Sequence, residues 1–496
     1  MNTIQIPWGQ ILLYLHTAAA LACMVRVLYK QRNTGTAFAW LIILFLFPLF
    51  GVVAYLMLGE PRLGLARAKR TAEMNRFYSE FAERYLADID LDVTNAIRPR
   101  YRGIAKVAAD TTGLGATRNN AMTLLSTTDE IVDTMLADIR AAEQSCLLAF
   151  YIIDPQGRIE MLLDAVIEAA RRGVDCAVLA DAVGSRRFLN GVWAKKLRTA
   201  GVEVHAALPV GPLRTLFTRS DLRNHRKILI IDKKIGYTGS YNLVDPRFFK
   251  QNSGVGEWVD VMMRCTGPMV LEMTAVFYAD LAVENDENLV GVQQYLDTYS
   301  EIIPAMLPDK MRAGNIAAQV IPSAPDQGER VIYETIISAI YSATRKIVIT
   351  SPYFVPDDPL LMALTTAAKR GVDVTLILPA KVDSLMVRYA SRAYYPMLLK
   401  AGVNIALFEG GLLHAKTMTI DEGYTLFGTV NMDMRSFFLN LEISLAVYDK
   451  TITGQVIDLQ QTYLKNSRYV SMKGWQQRAR WWGLVENTVR LMSPLL

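Results

Sequence analysis

The chain contains four histidines, His16, His205, His225 and His414, and two of them open the same pattern. His225-Arg226-Lys227 is followed by Asp232, and His414-Ala415-Lys416 by Asp421, so H-x-K-x-x-x-x-D occurs twice. Gly239-Ser240-Tyr241-Asn242 lies as far beyond His225 as Gly428-Thr429-Val430-Asn431 lies beyond His414. A single H-x-K-x-x-x-x-D arises by chance in on the order of one chain in a hundred, so two with matching companions form a constellation. With an unperturbed pKa of ~6.5, one imidazole can be a neutral nucleophile near neutral pH while another is a proton donor. Lysines and amides at set positions can stabilise negative charge building on oxygen, the work metals do elsewhere. His16 and His205 lack such company and read as a membrane-segment residue and an incidental surface group.

The motifs need rigid backbone. Alternate strand residues share a face, so His225 and Lys227 are expected to project together, as are His414 and Lys416. Apolar runs, Ile228 to Ile231 and Met418 to Ile420, then bury each strand in a sheet. Around the motifs the order of elements repeats. The segment Ala169-Ala170-Arg171-Arg172-Gly173-Val174-Asp175 is answered by Ala367-Ala368-Lys369-Arg370-Gly371-Val372-Asp373, and Ala200-Gly201-Val202 by Ala401-Gly402-Val403. In each copy a Gly ends a helix and a strand follows. This alternation predicts an α/β fold of two halves with mixed, largely parallel central sheets, one per half. Packed face to face by a pseudo-twofold axis, the halves would bring both motifs into a single cleft. The boundaries read as 119–283 for the first half, 284–326 for a connector and 327–470 for the second.

At 496 residues and 51% hydrophobic content the chain can bury a large core, which excludes disorder as its main state. A net charge of +5 suits an anionic surface without demanding one. Cys23, Cys146, Cys176 and Cys265 have neither metal-ligand nor disulfide-framework spacing, and read as small buried hydrophobes. No charged side chain precedes Arg26, and a second charge-free run extends from Asn33 to Gly59. Each run exceeds the ~20 residues needed to cross a bilayer, so residues 1–60 are expected to form a two-helix transmembrane hairpin, kinked at Pro48 and Gly51. Arg26, Lys30 and Arg32 on one side and Arg62, Arg67, Lys69, Arg70 and Arg76 on the other leave its orientation open. Residues 61–118 read as a juxtamembrane helical linker. Residues 471–496 carry Trp475, Trp481 and Trp482 among Arg478, Arg480 and Arg490, which fits a segment at the lipid headgroup level or a terminal helix packed on the domain.

The doubled motif resembles that of the phospholipase D superfamily, and over essentially the whole chain the sequence is similar to bacterial cardiolipin synthases. The likeness is carried by Ala39-Trp40-Leu41, Tyr55 to Glu60, Tyr237 to Ser240, Asp245-Pro246-Arg247, Trp258-Val259-Asp260 and Gly428 to Ser436. It implies phospholipase D-like halves and a phosphatidyl transfer between two phosphatidylglycerol molecules at the bacterial inner membrane. No cofactor, metal or nucleic acid is implied. His225 would attack phosphorus and His414 would act as general acid and base. Lys227, Lys416, Asn242 and Asn431 would hold the phosphoryl oxygens, supported by Ser240 and Thr429. An acidic partner should orient each ring, as in hydrolase triads; the candidates are Asp260 for His225 and Glu442 for His414. Asp232 and Asp421 complete the motif, and either a catalytic or a structural role is open to them. Arg214, Arg219, Arg223 and Arg226 among Leu213, Leu216, Phe217 and Leu222 suit an anionic lipid interface, although a nucleic-acid site could use the same arginines. A membrane-bound hydrolase or nuclease, and a non-catalytic lipid-binding scaffold, are the alternatives.

Overall fold

The computed structural model describes residues 8–29, 34–59, 93–209, 211, 219, 221–284, 313–325 and 330–493. The chain divides into two compact units, Met1–Ala68 with Val210–Leu222, and Lys69–Pro209 with Arg223–Leu496.

In the first unit, α1 (Trp8–Tyr29) is 22 residues long. At 1.5 Å per residue it reaches about 33 Å, enough for a hydrocarbon core of about 30 Å. Among the described residues it is the one helix long and apolar enough to cross a membrane. The expected second span is corrected. Its run is divided at Phe47 into α2 (Thr34–Leu46) and α3 (Pro48–Leu58), because Pro48 has no N–H to continue the helical ladder. The chain then turns back sharply, so that the rings of Trp40 and Tyr55 meet edge to face at 5.3 Å. Gly51 permits the approach, since a Cβ there would lie 3.0 Å from the Leu44 Cα. With 13 and 11 residues, neither arm alone crosses a bilayer.

In the second unit the first half supplies β1 (Thr117–Leu125), β2 (Ser145–Phe150), β3 (Asp175–Asp181), β4 (Glu203–Ala207), β5 (Arg223–Asn224), β6 (Lys227–Ile231), β7 (Ile235–Gly239), β8 (Trp258–Val259) and β9 (Met262–Thr266). The second supplies β10 (Ile316–Ser323), β11 (Lys346–Thr350), β12 (Phe354–Val355), β13 (Asp373–Pro379), β14 (Asn404–Phe408), β15 (Leu412–Leu413), β16 (Thr417–Ile420), β17 (Tyr424–Gly428), β18 (Met432–Asp433), β19 (Asn440–Val447) and β20 (Ser467–Tyr469). Helices used below are α4 (Pro99–Thr112), α5 (Thr128–Arg140), α6 (Arg158–Arg171), α7 (Met269–Glu284), α8 (Val331–Ser342), α9 (Asp358–Lys369), α10 (Leu385–Arg392), α11 (Tyr395–Ala401), α12 (Lys450–Lys465), α13 (Met472–Gln476) and α14 (Trp481–Arg490).

The main sheet runs β20-β14-β13-β11-β16-β17-β19-β10-β1-β9-β7-β6-β2-β3-β4. Two expectations change here. Along that path only β2–β3–β4 and β11–β13–β14 are parallel, so the sheet is mixed but not largely parallel. The motif strands follow one another through short turns rather than helical crossovers, which makes β6, β7 and β9 antiparallel. The halves are also joined side by side rather than face to face, because β1 pairs antiparallel with β10, Thr117 opposite Ala318. That strand lies within the stretch read as a connector, and α4, which packs on α8, lies within the stretch read as a linker. Residues 61–92, 285–312 and 326 of those two stretches fall outside the described residues.

Both faces of the sheet are apolar, and β2 shows why. Cys146, Leu148 and Phe150 face the core under α5 and α6, whereas Leu147 and Ala149 join the core under α7. That second core contains residues of both halves, and α7 and α12 lie across it: α7 packs on β10 of the second half and α12 on β1 of the first. The repeated glycines end their helices as expected. Gly173 and Gly371 adopt φ of 93° and 90°, and the next N–H of each segment returns to Ala169 and Ala367 at 3.1 Å.

Candidate active site

Neither motif histidine lies within its long strand. His225 sits between β5 and β6, and His414 between β15 and β16, where the chain crosses to pair with the opposite half. Arg223 and Asn224 pair in parallel with Asn440 and Leu441, and the His225 N–H donates to the Leu441 carbonyl at 2.9 Å. Reciprocally, Leu412 and Leu413 pair with Trp258 and Val259, and the His414 N–H donates to the Val259 carbonyl at 2.8 Å.

This exchange decides the acidic partners. Glu442 follows Leu441 and reaches His225, with Nδ1 to Oε2 at 2.8 Å. Asp260 follows Val259 and reaches His414, with Nδ1 to Oδ1 at 2.7 Å. Each ring is therefore held by a carboxylate of the other half, and the same-half pairing expected from chain order is reversed. The acids occupy equivalent positions, each two residues before the partner of the last β7 or β17 glycine: Met262 opposite Gly239, and Ser444 opposite Gly428. Their unequal distances from the histidines arise because the first half has a longer loop between its Asn and its acid.

Lys227 and Lys416 are buried and donate to the carbonyls of His225 and His414, at 2.6 and 2.5 Å. Burial pushes their pKa down, to about 7 for Lys227 and about 8 for Lys416, while the carboxylates of Glu442 and Asp260 act in the opposite sense on both. Burial also lowers both histidines to about 4, with the nearest lysines acting in the same direction and the paired carboxylates opposing. Burial tends to raise the pKa of Asp260 and Glu442, yet each is lowered overall by its histidine and by the lysines. Each motif feels the other's lysine, Lys416 acting on His225 and Lys227 on His414, so the two sets share one electrostatic site. The resting site thus holds two carboxylates and two largely neutral rings whose Nδ1 is engaged, leaving each Nε2 for chemistry.

Comparison with known proteins agrees with this arrangement. The family described as cardiolipin synthase, PLD-like domain, matches residues 135–258 and 336–462, one copy in each half. The chain is 39% identical to cardiolipin synthase A of Erwinia tasmaniensis over 100% of both chains. It is 38% identical to cardiolipin synthase A of Pectobacterium atrosepticum, again over 100% of both. The chain belongs to the cardiolipin synthase family of the phospholipase D superfamily. A phospholipase D-nuclease N-terminal family also matches residues 18–60. Among solved structures, phosphatidylserine synthase of Haemophilus influenzae Rd KW20 superposes with a TM-score of 0.58, covering 79% of this chain and 100% of its own, at 15% identity. That likeness shows a shared fold.

In this cardiolipin synthase family member Asp232 and Asp421 are displaced from the chemistry. Both lie at the far ends of β6 and β16 with φ of 51°. Asp232 accepts backbone N–H groups of Glu143, Gln144 and Ser145, and Asp421 those of Thr344, Arg345 and Lys346. They cap the turns that start β2 and β11, which supports the structural of the two roles open to them. Ser240 and Thr429 also work through backbone, accepting the N–H of Val261 and Ile443 at 2.9 Å and so locating the acids one residue earlier. Asn242 accepts the Ile152 N–H at 3.2 Å, which leaves its NH2 group to donate.

Tyr151 escaped the sequence reading, while Trp258 entered it only through the family likeness and Arg226 as part of a lipid interface. Tyr151 packs edge-on to His225 at 5.0 Å between centroids, whereas Trp258 lies tilted beside His414 at 4.4 Å. Buried Arg226 donates to the Glu442 carbonyl at 2.9 Å and pairs with Asp280. That burial corrects its expected place in an anionic lipid interface, and its counterpart in the second half is Ala415. Of the basic approach to the first motif, Leu213, Arg214, Leu216 and Phe217 lie outside the described residues, and Arg219 pairs with Asp221 at 2.5 Å.

Proposed function

We propose that the chain transfers a phosphatidyl group from one phosphatidylglycerol to another, giving cardiolipin and glycerol. The crossed pairs His225–Glu442 and His414–Asp260 carry this reading, because they poise two imidazoles with free Nε2 atoms in one lysine-lined site. His225 Nε2 attacks phosphorus with its lone pair, the phosphorus–oxygen bond to glycerol breaks, and the leaving oxygen takes a proton from His414. The glycerol hydroxyl of a second phosphatidylglycerol then gives its proton to His414 as its oxygen attacks phosphorus and breaks the bond to His225. Trp258 beside His414 favours the protonated ring there, since an aromatic face attracts a cation. His225, flanked edge-on by Tyr151, is the neutral nucleophile. Lys227, Lys416, Asn242 and Asn431 bind the phosphoryl oxygens.

The two carboxylates balance the two lysines when the rings are neutral. A bound phosphodiester adds one negative charge, which raises the pKa of the rings and lysines and draws in the proton that His414 needs. The enzyme acts at the bacterial cytoplasmic membrane, with α1 as its span and the α2–α3 pair inserted beside it. A single span with a re-entrant pair thus replaces the multi-pass hairpin. Residues 471–496 meet the headgroups, with Trp481 exposed for that contact.

Incubating the purified full-length protein with phosphatidylglycerol tests the reaction. Cardiolipin with equimolar free glycerol is expected. Phosphatidic acid alone would make the protein a hydrolase, and no product would leave it a lipid-binding scaffold.

A further inference from the structure

A cavity of about 360 Å³ opens beside α10 and α13, near the C-terminal ends of β13 and β14. Its walls hold four guanidinium groups, Arg388, Arg392, Arg468 and Arg478, and no aspartate or glutamate. Two of them share one acid: buried Glu486 accepts from Arg478 and lies 3.1 Å from Nε of Arg392, which has no hydrogen-bond partner of its own among the described residues. Arg468 has Glu409, 3.3 Å away in an exposed pair that contributes little. Arg388 forms no ion pair among the described residues. Four cations thus face two carboxylates. Burial lowers the pKa of Arg392, and the nearby Arg478 and Arg388 add to the shift, as expected of guanidiniums crowded without enough counter-charge.

The rest of the lining is mostly apolar, with the hydroxyls of Ser391, Ser471, Tyr395 and Tyr469 among it. Trp475 lies with Arg478 over its ring at 3.7 Å and Arg392 at 5.3 Å, and Phe354 lines the wall as well. α10, which lines the cavity, packs against α14 and exposes Leu385, while α14 exposes Trp481 and Leu484. Exposed apolar side chains on the lining helix and on the helix packed against it, beside a cationic hollow, match an amphipathic anion, whose charge enters the hollow while its chains stay in the bilayer. Paired guanidiniums suit phosphate oxygens in particular.

We propose that this cavity is a second, non-catalytic site that seats the phosphodiester of an anionic lipid headgroup among Arg388, Arg392, Arg468 and Arg478. None of the motif residues lines it, so the site stands whether or not His225 and His414 transfer phosphatidyl groups.

Calorimetric titration of the full-length protein in neutral detergent, with His225→Ala and His414→Ala silencing turnover, tests the assignment. Dihexanoyl phosphatidylglycerol is expected to occupy two sites per chain. Arg388→Gln combined with Arg468→Gln, which leaves the Glu486 cluster untouched, should weaken one site about tenfold and spare the other. Arg388→Lys should restore part of the loss. Dihexanoyl phosphatidylcholine, which has no net charge, should bind the second site at least tenfold more weakly. Unchanged affinity and stoichiometry for phosphatidylglycerol in the double variant would overturn the proposal. So would an effect of the substitutions on inorganic phosphate alone, because that would make the cavity a site for free anion.

Discussion

The two halves of the catalytic unit were built to one plan, and they differ most where they touch the histidines. On the side of His225 the neighbours are Tyr151, edge-on, and an acid whose second oxygen accepts from Asn440 at 3.1 Å. On the side of His414, Trp258 occupies the position that Asn440 holds in the other half and lies against the ring itself. The longer loop of the first half delivers this tryptophan across the boundary between halves. A second asymmetry is Arg226, which braces the Glu442 backbone and meets Asp280, while Ala415 has no side chain to do the same. The repeat thus makes two equivalent imidazole-and-carboxylate stations, with both rings lowered alike to about 4, and a few unrepeated residues give them different surroundings. Duplication supplies the geometry, and the proposed division of roles rests on the divergence.

The sharpest way to break this comparison is to remove each ring in turn. His225→Ala and His414→Ala should each lower phosphatidyl transfer about 10⁴-fold or more, measured as cardiolipin formed per minute. Reactions with phosphatidylglycerol radiolabelled at phosphorus, quenched in alkaline detergent because the phosphorus–nitrogen bond is acid-labile, should place the label on the peptide of His225; label on that of His414 would exchange the two roles.

The crossed acids come next. Glu442→Gln and Asp260→Asn should each slow transfer by about 10² to 10⁴. In imidazole NMR spectra Glu442→Gln should shift the His225 signals, and Asp260→Asn those of His414. The opposite pattern would restore same-half pairing.

Arg226→Met should cost about 3 kcal/mol of stability in denaturant unfolding, because Asp280 loses its cation in a buried setting. Adding Asp280→Leu should recover most of that loss. No comparable change is available at Ala415.

Asp232→Ala and Asp421→Ala should each cost about 2 kcal/mol, seen as a lower thermal midpoint, through loss of several buried backbone hydrogen bonds. Transfer activity at a temperature where both fold should remain within about threefold of the parent. A 10³-fold loss in folded protein would return them to the chemistry.

The smallest effect is on pH dependence. With folded pKa values of about 7 and about 8 for Lys227 and Lys416, kcat/KM should decline as pH rises through that range, because deprotonation removes the charge that binds phosphate. Bound anionic substrate raises both values, so the basic limb of kcat should lie at higher pH than that of kcat/KM. Coincident limbs would mean that the lysines do not contact the phosphate.

Residue order alone determined the repeat and the two motifs, since each is a local pattern of residue types at a set spacing, and it offered both acids as candidates. It also determined an α/β fold and an apolar N-terminal helix, through the period and length of its hydrophobic runs. Tertiary structure decided which acid serves which ring, because strand exchange at β5–β19 and β8–β15 joins residues that lie 217 and 154 positions apart. No local spacing encodes a pairing between halves. It likewise decided that the motif aspartates cap turns, that β1 and β10 fuse two sheets into one, and that the chain folds back at Phe47 instead of crossing once more. Apart from the break at Phe47, which Pro48 makes locally, those outcomes depend on which backbone groups find partners at a distance, and the chain's linear order leaves that open.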